Sequence, residues 1–226
     1  MPVARLLAAA LVSVTLAVLG LAAGSASAEE RMWIGFHDDP TLRYGPDRLA
    51  ELDAVRAANA TIVRTLVEWR SVAPTRPRSA TNPFDPVYRF ADLDELVRNA
   101  QERGMEVLMT IWGTPTWANG GKGPQFLPTR TSDFRNFTRA LATRYSGRRP
   151  GYPFVRFYGI WNESNLGNFL APQFNAAGKI VSPAAYAKLA AAGYAGIKAG
   201  SPRALVAIGE TSSNGKDKRR PGATDS

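Results

Sequence analysis

The stretch Phe154-Val155-Arg156-Phe157-Tyr158-Gly159-Ile160-Trp161-Asn162-Glu163-Ser164-Asn165 decides the fold. Its first eight residues are mostly aromatic or β-branched, the composition of a buried strand. The run then stops at an adjacent amide and carboxylate. A parallel strand of an α/β barrel presents its reactive groups at this end, where strand gives way to loop.

Outward from this stretch the chain alternates. Met32 to Phe36 reads as a first strand, and Pro46 to Ala58 as a helix with Leu49, Leu52 and Val55 on one face. Thr61 to Val67 reads as the second strand. Asp92-x-x-Glu95 resembles a capping box, and Leu93, Leu96, Val97 and Ala100 carry that helix to Gly104. Val107 to Trp112 is the third strand. Ser132 opens a helix with Phe134, Phe137, Leu141 and Tyr145 at helical spacing, and Ser182-Pro183 opens another with Tyr186, Leu189, Ala190 and Ile197. Ala204 to Gly209 is the fifth strand. The strands are continuous apolar runs, as expected when helices cover a parallel sheet.

Two α/β architectures accept this series, an open doubly wound sheet and a (β/α)8 barrel. No Gly-x-Gly-x-x-Gly follows the first strand, so dinucleotide binding has no support. The strand ends carry polar or aromatic groups: His37 and Asp38, Glu68 and Trp69, Trp112, Asn162 and Glu163, Glu210. Long loops (71–90, 113–130 and 164–182) follow strands two to four, as around a barrel cleft. The expected fold is a partial TIM (β/α)8 barrel of about five βα units. A full barrel takes about 250 residues, so the chain reads as C-terminally truncated.

Three segments are expected. Residues 1–28 read as a secretory signal, with Arg5, the apolar run Leu6 to Leu21 and Ala26-Ser27-Ala28 as cleavage site. The run is short for a membrane span, so a secreted, extracellular protein without a lasting anchor is expected. Residues 29–213 form the barrel part, and 214–226 a polar tail. No cysteine is present, so disulfides are excluded. The formal net charge of +9 comes mostly from dispersed arginines, and the one basic cluster, Lys216 to Arg220, reads as solvated. A nucleic-acid partner is not expected. His37-Asp38-Asp39 lacks a second histidine, so no metal and no cofactor is expected. The N-x-S/T matches at Asn59, Asn136 and Asn162 are read as chance.

Tryptophan, asparagine and glutamate together suit sugar chemistry. An indole can stack on a sugar face, an amide can bond a hydroxyl, and a carboxyl can exchange a proton with a glycosidic oxygen. Trp161-Asn162-Glu163-x-Asn165, Arg64 in Thr61-Ile62-Val63-Arg64, Trp69-x-x-Val72-Ala73-Pro74 and Trp112-Gly113-Thr114-Pro115-x-Trp117-Ala118 together resemble clan A glycoside hydrolases, family 5 (cellulase-like) or family 39-like, over about residues 31 to 213.

The resemblance implies a retaining glycosidase. Glu163 would be the general acid/base and Asn162 would bond the sugar 2-hydroxyl. Arg64 would orient the nucleophile, and Trp112 and Trp117 would line subsites. The clan's nucleophile is a glutamate ending a seventh strand, and no residue here matches it. Family 5 members often carry a histidine near strand three, where this chain has Trp112; its one histidine is His37, after strand one, taken as substrate-binding. Glu210 stands at a neighbouring strand end, whereas the clan places the attacking group across the barrel. The alternative reading is a non-catalytic carbohydrate-binding half-barrel. On either reading the partner is a carbohydrate, and exposed sheet edges favour self-association.

Overall fold

The computed structural model describes residues 32–214. The signal sequence expected over 1–28 lies outside them, as does the expected tail except for Asn214. The chain divides after Trp33, and the unit from Ile34 onward holds every element below. These are β1 (Gly35–Phe36), α1 (Asp39–Leu42), α2 (Arg48–Ala57), β2 (Ile62–Glu68), α3 (Trp69–Val72), α4 (Ala91–Glu102), β3 (Glu106–Trp112), α5 (Thr116–Asn119), α6 (Thr131–Arg144), β4 (Phe157–Ile160), α7 (Ser182–Gly200) and β5 (Leu205–Ile208).

The five strands are parallel and stand in sequence order, β1-β2-β3-β4-β5. This is the order of a (β/α)8 barrel, and the described residues supply five of its strands. Strand parity sorts the side chains into two faces. Val63 and Val67, then Val107, Met109 and Ile111, then Tyr158 and Ile160 are buried beneath the helices. The other face carries Ile62, Arg64, Leu66, Leu108 and Phe157, all half-buried. The continuous apolar runs suggested two covered faces; among the described residues only the helix side is fully covered.

α6 and α7 pack closely because α7 is glycine-rich where they meet. A Cβ at Gly196 would lie 2.0 Å from Thr138 Oγ1 and 2.2 Å from the Arg135 carbonyl oxygen. The arginines tie helices together. Arg144 at the end of α6 bonds Asp94 in the first turn of α4 through Nε at 2.8 Å, and Tyr145 donates its hydroxyl to the same carboxylate at 2.8 Å. Burial, and then the Asp94 charge, push the Tyr145 hydroxyl well above its ordinary pKa.

Three expectations need correction. The capping box at Asp92 does not form: α4 starts at Ala91, after Phe90, without a side-chain cap. Arg43 takes the Asp92 carboxylate instead, with Nη2 at 2.7 Å and Nε at 3.0 Å. The first and fourth strands are shorter than read, because pairing begins only at Gly35 opposite Ile62 and at Phe157 opposite Leu108. The loops 71–90 and 113–130 are not wholly irregular: α3 runs into the first and α5 lies in the second.

Among the described residues both sheet edges are apolar and unpaired. Ile34 and Phe36 at the β1 edge are 49% and 42% exposed, and Leu205 and Ile208 in β5 are 48% and 64% exposed. Among the described residues no helix is long and apolar enough to cross a membrane.

Candidate active site

The polar site is built where the strands end. Arg64 projects from β2 and makes four side-chain contacts. Its Nη2 donates to Asn162 Oδ1 at 2.7 Å and to Glu210 Oε2 at 2.8 Å. Its Nε donates to Thr110 Oγ1 at 3.1 Å, and its Nη1 lies 2.8 Å from His37 Nδ1. A guanidinium only donates, so His37 Nδ1 accepts, and the ring proton sits on Nε2, which lies 3.5 Å from Asp39 Oδ2. One arginine thus joins the ends of β1, β4 and β5 with the interiors of β2 and β3.

The end of β4 turns sharply. Trp161 and Glu163 both adopt positive φ, +69° and +41°, a region costly for side chains of their size. The turn is held on both sides. The Trp161 backbone N–H donates to the Ile111 carbonyl at 2.8 Å, and its fully buried indole donates to the Phe169 carbonyl at 2.7 Å. Asn162 is buried, with its amide oxygen held by Arg64, and no described residue accepts from its amide N–H. The half-buried Glu163 carboxylate has no hydrogen bond or ion pair among the described residues. Asn165 pairs through both ends of its amide with the Ser212 backbone, at 2.7 and 2.8 Å, and ties the loop after β5 to the loop after β4.

Glu210 sits deeper than its strand-end position suggests. Thr110 Oγ1 donates to its carboxylate at 3.0 Å, and Glu210 Oε1 lies 1.7 Å from where a Cβ on Gly159 would stand. Gly159 therefore leaves the space that the carboxylate fills. Tyr186 on α7 bridges the neighbouring strands: its hydroxyl donates to the Ile160 carbonyl at 2.8 Å and accepts from Gly209 N–H at 2.7 Å. Burial raises the Tyr186 pKa, the Gly209 bond opposes this, and the Glu210 charge adds to the rise.

Neither tryptophan is hydrogen-bonded to this network among the described residues. Trp112 ends β3, buried, packed edge-on against Trp161 and Phe169, and its Nε1 has no partner among the described residues. Trp117 on α5 is half-buried; its Nε1 donates to the Ala73 carbonyl at 2.8 Å, and Arg76 lies 4.4 Å over its ring. The structure therefore brings Arg64, Asn162 and His37 together, with Glu163 adjacent in sequence to Asn162. The sequence does not mark Thr110, Gly159 or Tyr186 as site-building, and Asn165 enters it only as the last residue of the Trp161-Asn162-Glu163-x-Asn165 motif. Strand parity was the available signal for Thr110 and Gly159, which share a face with Arg64; nothing local marks the Asn165–Ser212 pairing. The loops after β2 and β3 enclose a cleft of about 400 Å³ lined by Arg70, Arg89, Thr114 and Lys122. No group of three His, Cys, Asp or Glu side chains among the described residues is placed to hold a metal ion.

A sequential parallel βα series whose fourth strand ends in Asn-Glu, with an arginine of the second strand on that asparagine, defines the clan A (β/α)8 class. Within it the chain belongs to the cellulase family, glycosyl hydrolase family 5, whose model matches residues 30–224. Among solved structures, a glucosidase from Croceicoccus marinus is 20% identical with a TM-score of 0.55, covering 78% of this chain and 36% of its own. A monomeric beta-xylosidase from Caulobacter crescentus CB15 is 22% identical, TM-score 0.54, covering 80% and 36%. A family 39 glycoside hydrolase from Bacteroides cellulosilyticus WH2 is 19% identical, TM-score 0.51, covering 78% and 31%. At these identities the likeness is one of fold, and the chain spans about a third of the length of these structures. No curated protein matches the chain.

Proposed function

We propose that this chain carries the acid/base part of an exported, retaining glycoside hydrolase acting on O-glycosyl bonds of oligo- or polysaccharides. One observation supports it above the others: Asn162, beside Glu163, has its amide oxygen fixed by Arg64, which leaves its N–H groups for a sugar hydroxyl. Glu163 protonates the glycosidic oxygen as the bond to the anomeric carbon breaks, then takes a proton from the incoming water. Retention requires a second carboxylate about 5–5.5 Å from the first, attacking the anomeric carbon from the opposite face. The resemblance puts that glutamate on a seventh strand, and it matches no described residue. Glu210 does not take its place in this reading, because it follows β5, the strand paired with β4, whereas the attacking carboxylate stands across the barrel from the acid. Export rests on the signal-like residues 1–28.

The test is turnover of glycosides with good and poor leaving groups, by a protein extended to carry the second carboxylate and by its Glu163→Gln variant. The acid/base role requires loss with poor leaving groups and a smaller effect on glycosyl-enzyme formation from activated aryl glycosides. Equal loss in that step removes Glu163 from the role. If neither protein turns over any glycoside but both bind oligosaccharide equally in calorimetric titration, the chain is a carbohydrate-binding half-barrel instead.

A further inference from the structure

At the opposite end of the strands from Glu163 lies a second cleft, of about 570 Å³. Its walls are the last turns of α4, the loop between α6 and β4, and the loop before β5. Arg98, Arg149 and Arg203 line it, with Glu102 as its one acidic side chain. These arginines are far apart in sequence, and folding gathers them.

None of the three has an ion pair or side-chain hydrogen bond among the described residues, whereas Arg43, Arg48, Arg64, Arg103 and Arg144 are all paired with carboxylates. Two are held by aromatic rings instead: the Arg149 guanidinium lies 4.7 Å over Phe84, and that of Arg203 lies 4.5 Å over Phe154. Such stacking uses the face of the guanidinium and leaves its N–H edge available. The loop wall is anchored as well, since Gln101 Nε2 donates to the Phe154 carbonyl at 2.8 Å.

We propose that this cleft is a second saccharide site, one that binds a uronate-containing chain through its carboxylates. A guanidinium edge matches a carboxylate with two parallel hydrogen bonds. Three arginines against one glutamate give a modest positive surplus, confined to one cleft. That suits a polymer with one charge per sugar. A duplex nucleic acid, with a charge every ~1.7 Å of axis, is held by a longer run of cations. The choice of a saccharide rests on the family. The site itself needs neither Glu163 nor turnover, so its failure and that of the glycosidase reading are separately visible.

The experiment is calorimetric titration of the full chain with trigalacturonate, with cellotriose as the neutral probe and a short DNA duplex as the polyphosphate probe. Trigalacturonate is expected to bind, more weakly as salt rises, and cellotriose to give no salt-sensitive binding. Arg149→Gln and Arg203→Gln should each weaken binding roughly tenfold, the loss expected for hydrogen bonds to a charged group. Arg139→Gln, which removes an exposed arginine of α6 outside the cleft, should leave it unchanged. Glu102→Gln should strengthen it severalfold, a gain that a misfolded variant cannot give. Equal weakening by Arg139→Gln, no gain from Glu102→Gln, or tighter binding of the DNA duplex overturns the proposal.

Discussion

Gly159→Ala is expected to change sign with its background. In the wild-type chain the new Cβ would stand 1.7 Å from Glu210 Oε1 and 2.8 Å from its Cδ, so the carboxylate must leave. Swinging a side-chain end away is sterically cheap; what is lost is its bond to Arg64 at 2.8 Å and to Thr110 at 3.0 Å. A hydrogen bond to a charged group contributes about 1.5–3 kcal/mol, and the partial exposure of both side chains, 25% and 19%, places this pair near the lower end. Against that, alanine in a strand interior is favoured over glycine by about 0.5–1 kcal/mol. Gly159→Ala should therefore destabilise the wild type by about 1 kcal/mol. In a Glu210→Ala background the carboxylate is already gone, and the remaining close neighbour, Thr110 Oγ1 at 3.0 Å, needs only a small shift. There the same substitution should stabilise by about 0.5–1 kcal/mol. Urea unfolding of the four proteins gives the coupling directly, expected at about 1.5–2 kcal/mol. Equal destabilisation in both backgrounds would refute the cradle that Gly159 forms for Glu210.

Asp94→Asn removes the counter-charge of Arg144 and leaves one acceptor oxygen to be shared by Arg144 and the Tyr145 hydroxyl, in a pair whose side chains are each 11% exposed. A loss of about 3–5 kcal/mol is expected in denaturant unfolding, and a loss under 1 kcal/mol would mean that the α4–α6 tie contributes little. Glu106 at the start of β3 has its carboxyl pKa raised by burial, partly opposed by Arg156. A raised acid pKa in the fold means stability present at low pH that falls as pH rises through the folded value. Glu106→Gln should therefore stabilise at neutral pH and be neutral in acid, which thermal melts across pH check. The open edges at Phe36 and Ile208 should make the chain self-associate, and Ile208→Lys should shift light scattering toward the monomer. A monodisperse wild-type monomer would remove that expectation.

The strand order was legible because each strand is short, apolar and followed by a helix with its own periodic face. The acid/base candidate was legible because Asn162 and Glu163 are adjacent and close a strand. The rest of the network is tertiary. Arg64 and Glu210 are 146 residues apart, and their pairing depends on register and on the empty face of Gly159. Asp92 shows the opposite failure. Its sequence pattern fits a helix cap, but Arg43, 49 residues away, competes for the same carboxylate and wins. The gathering of Arg98, Arg149 and Arg203 was equally hidden, since a scan along the chain finds only scattered charges.

Because the sheet is ordered as the chain is, each strand docks on the one made just before it. Arg64, Thr110 and Asn162 belong to β2, β3 and the end of β4, so their part of the network closes once the fourth strand docks and does not need β5. Amide exchange in the mature fold should follow the same geometry. Protection should be strongest along the central strands β2 and β3, and should fall away toward β1 and β5. Glu210 and His37, which complete the network from the two edges, would then be its most readily released members, and the centre of the site would outlast fraying at either margin.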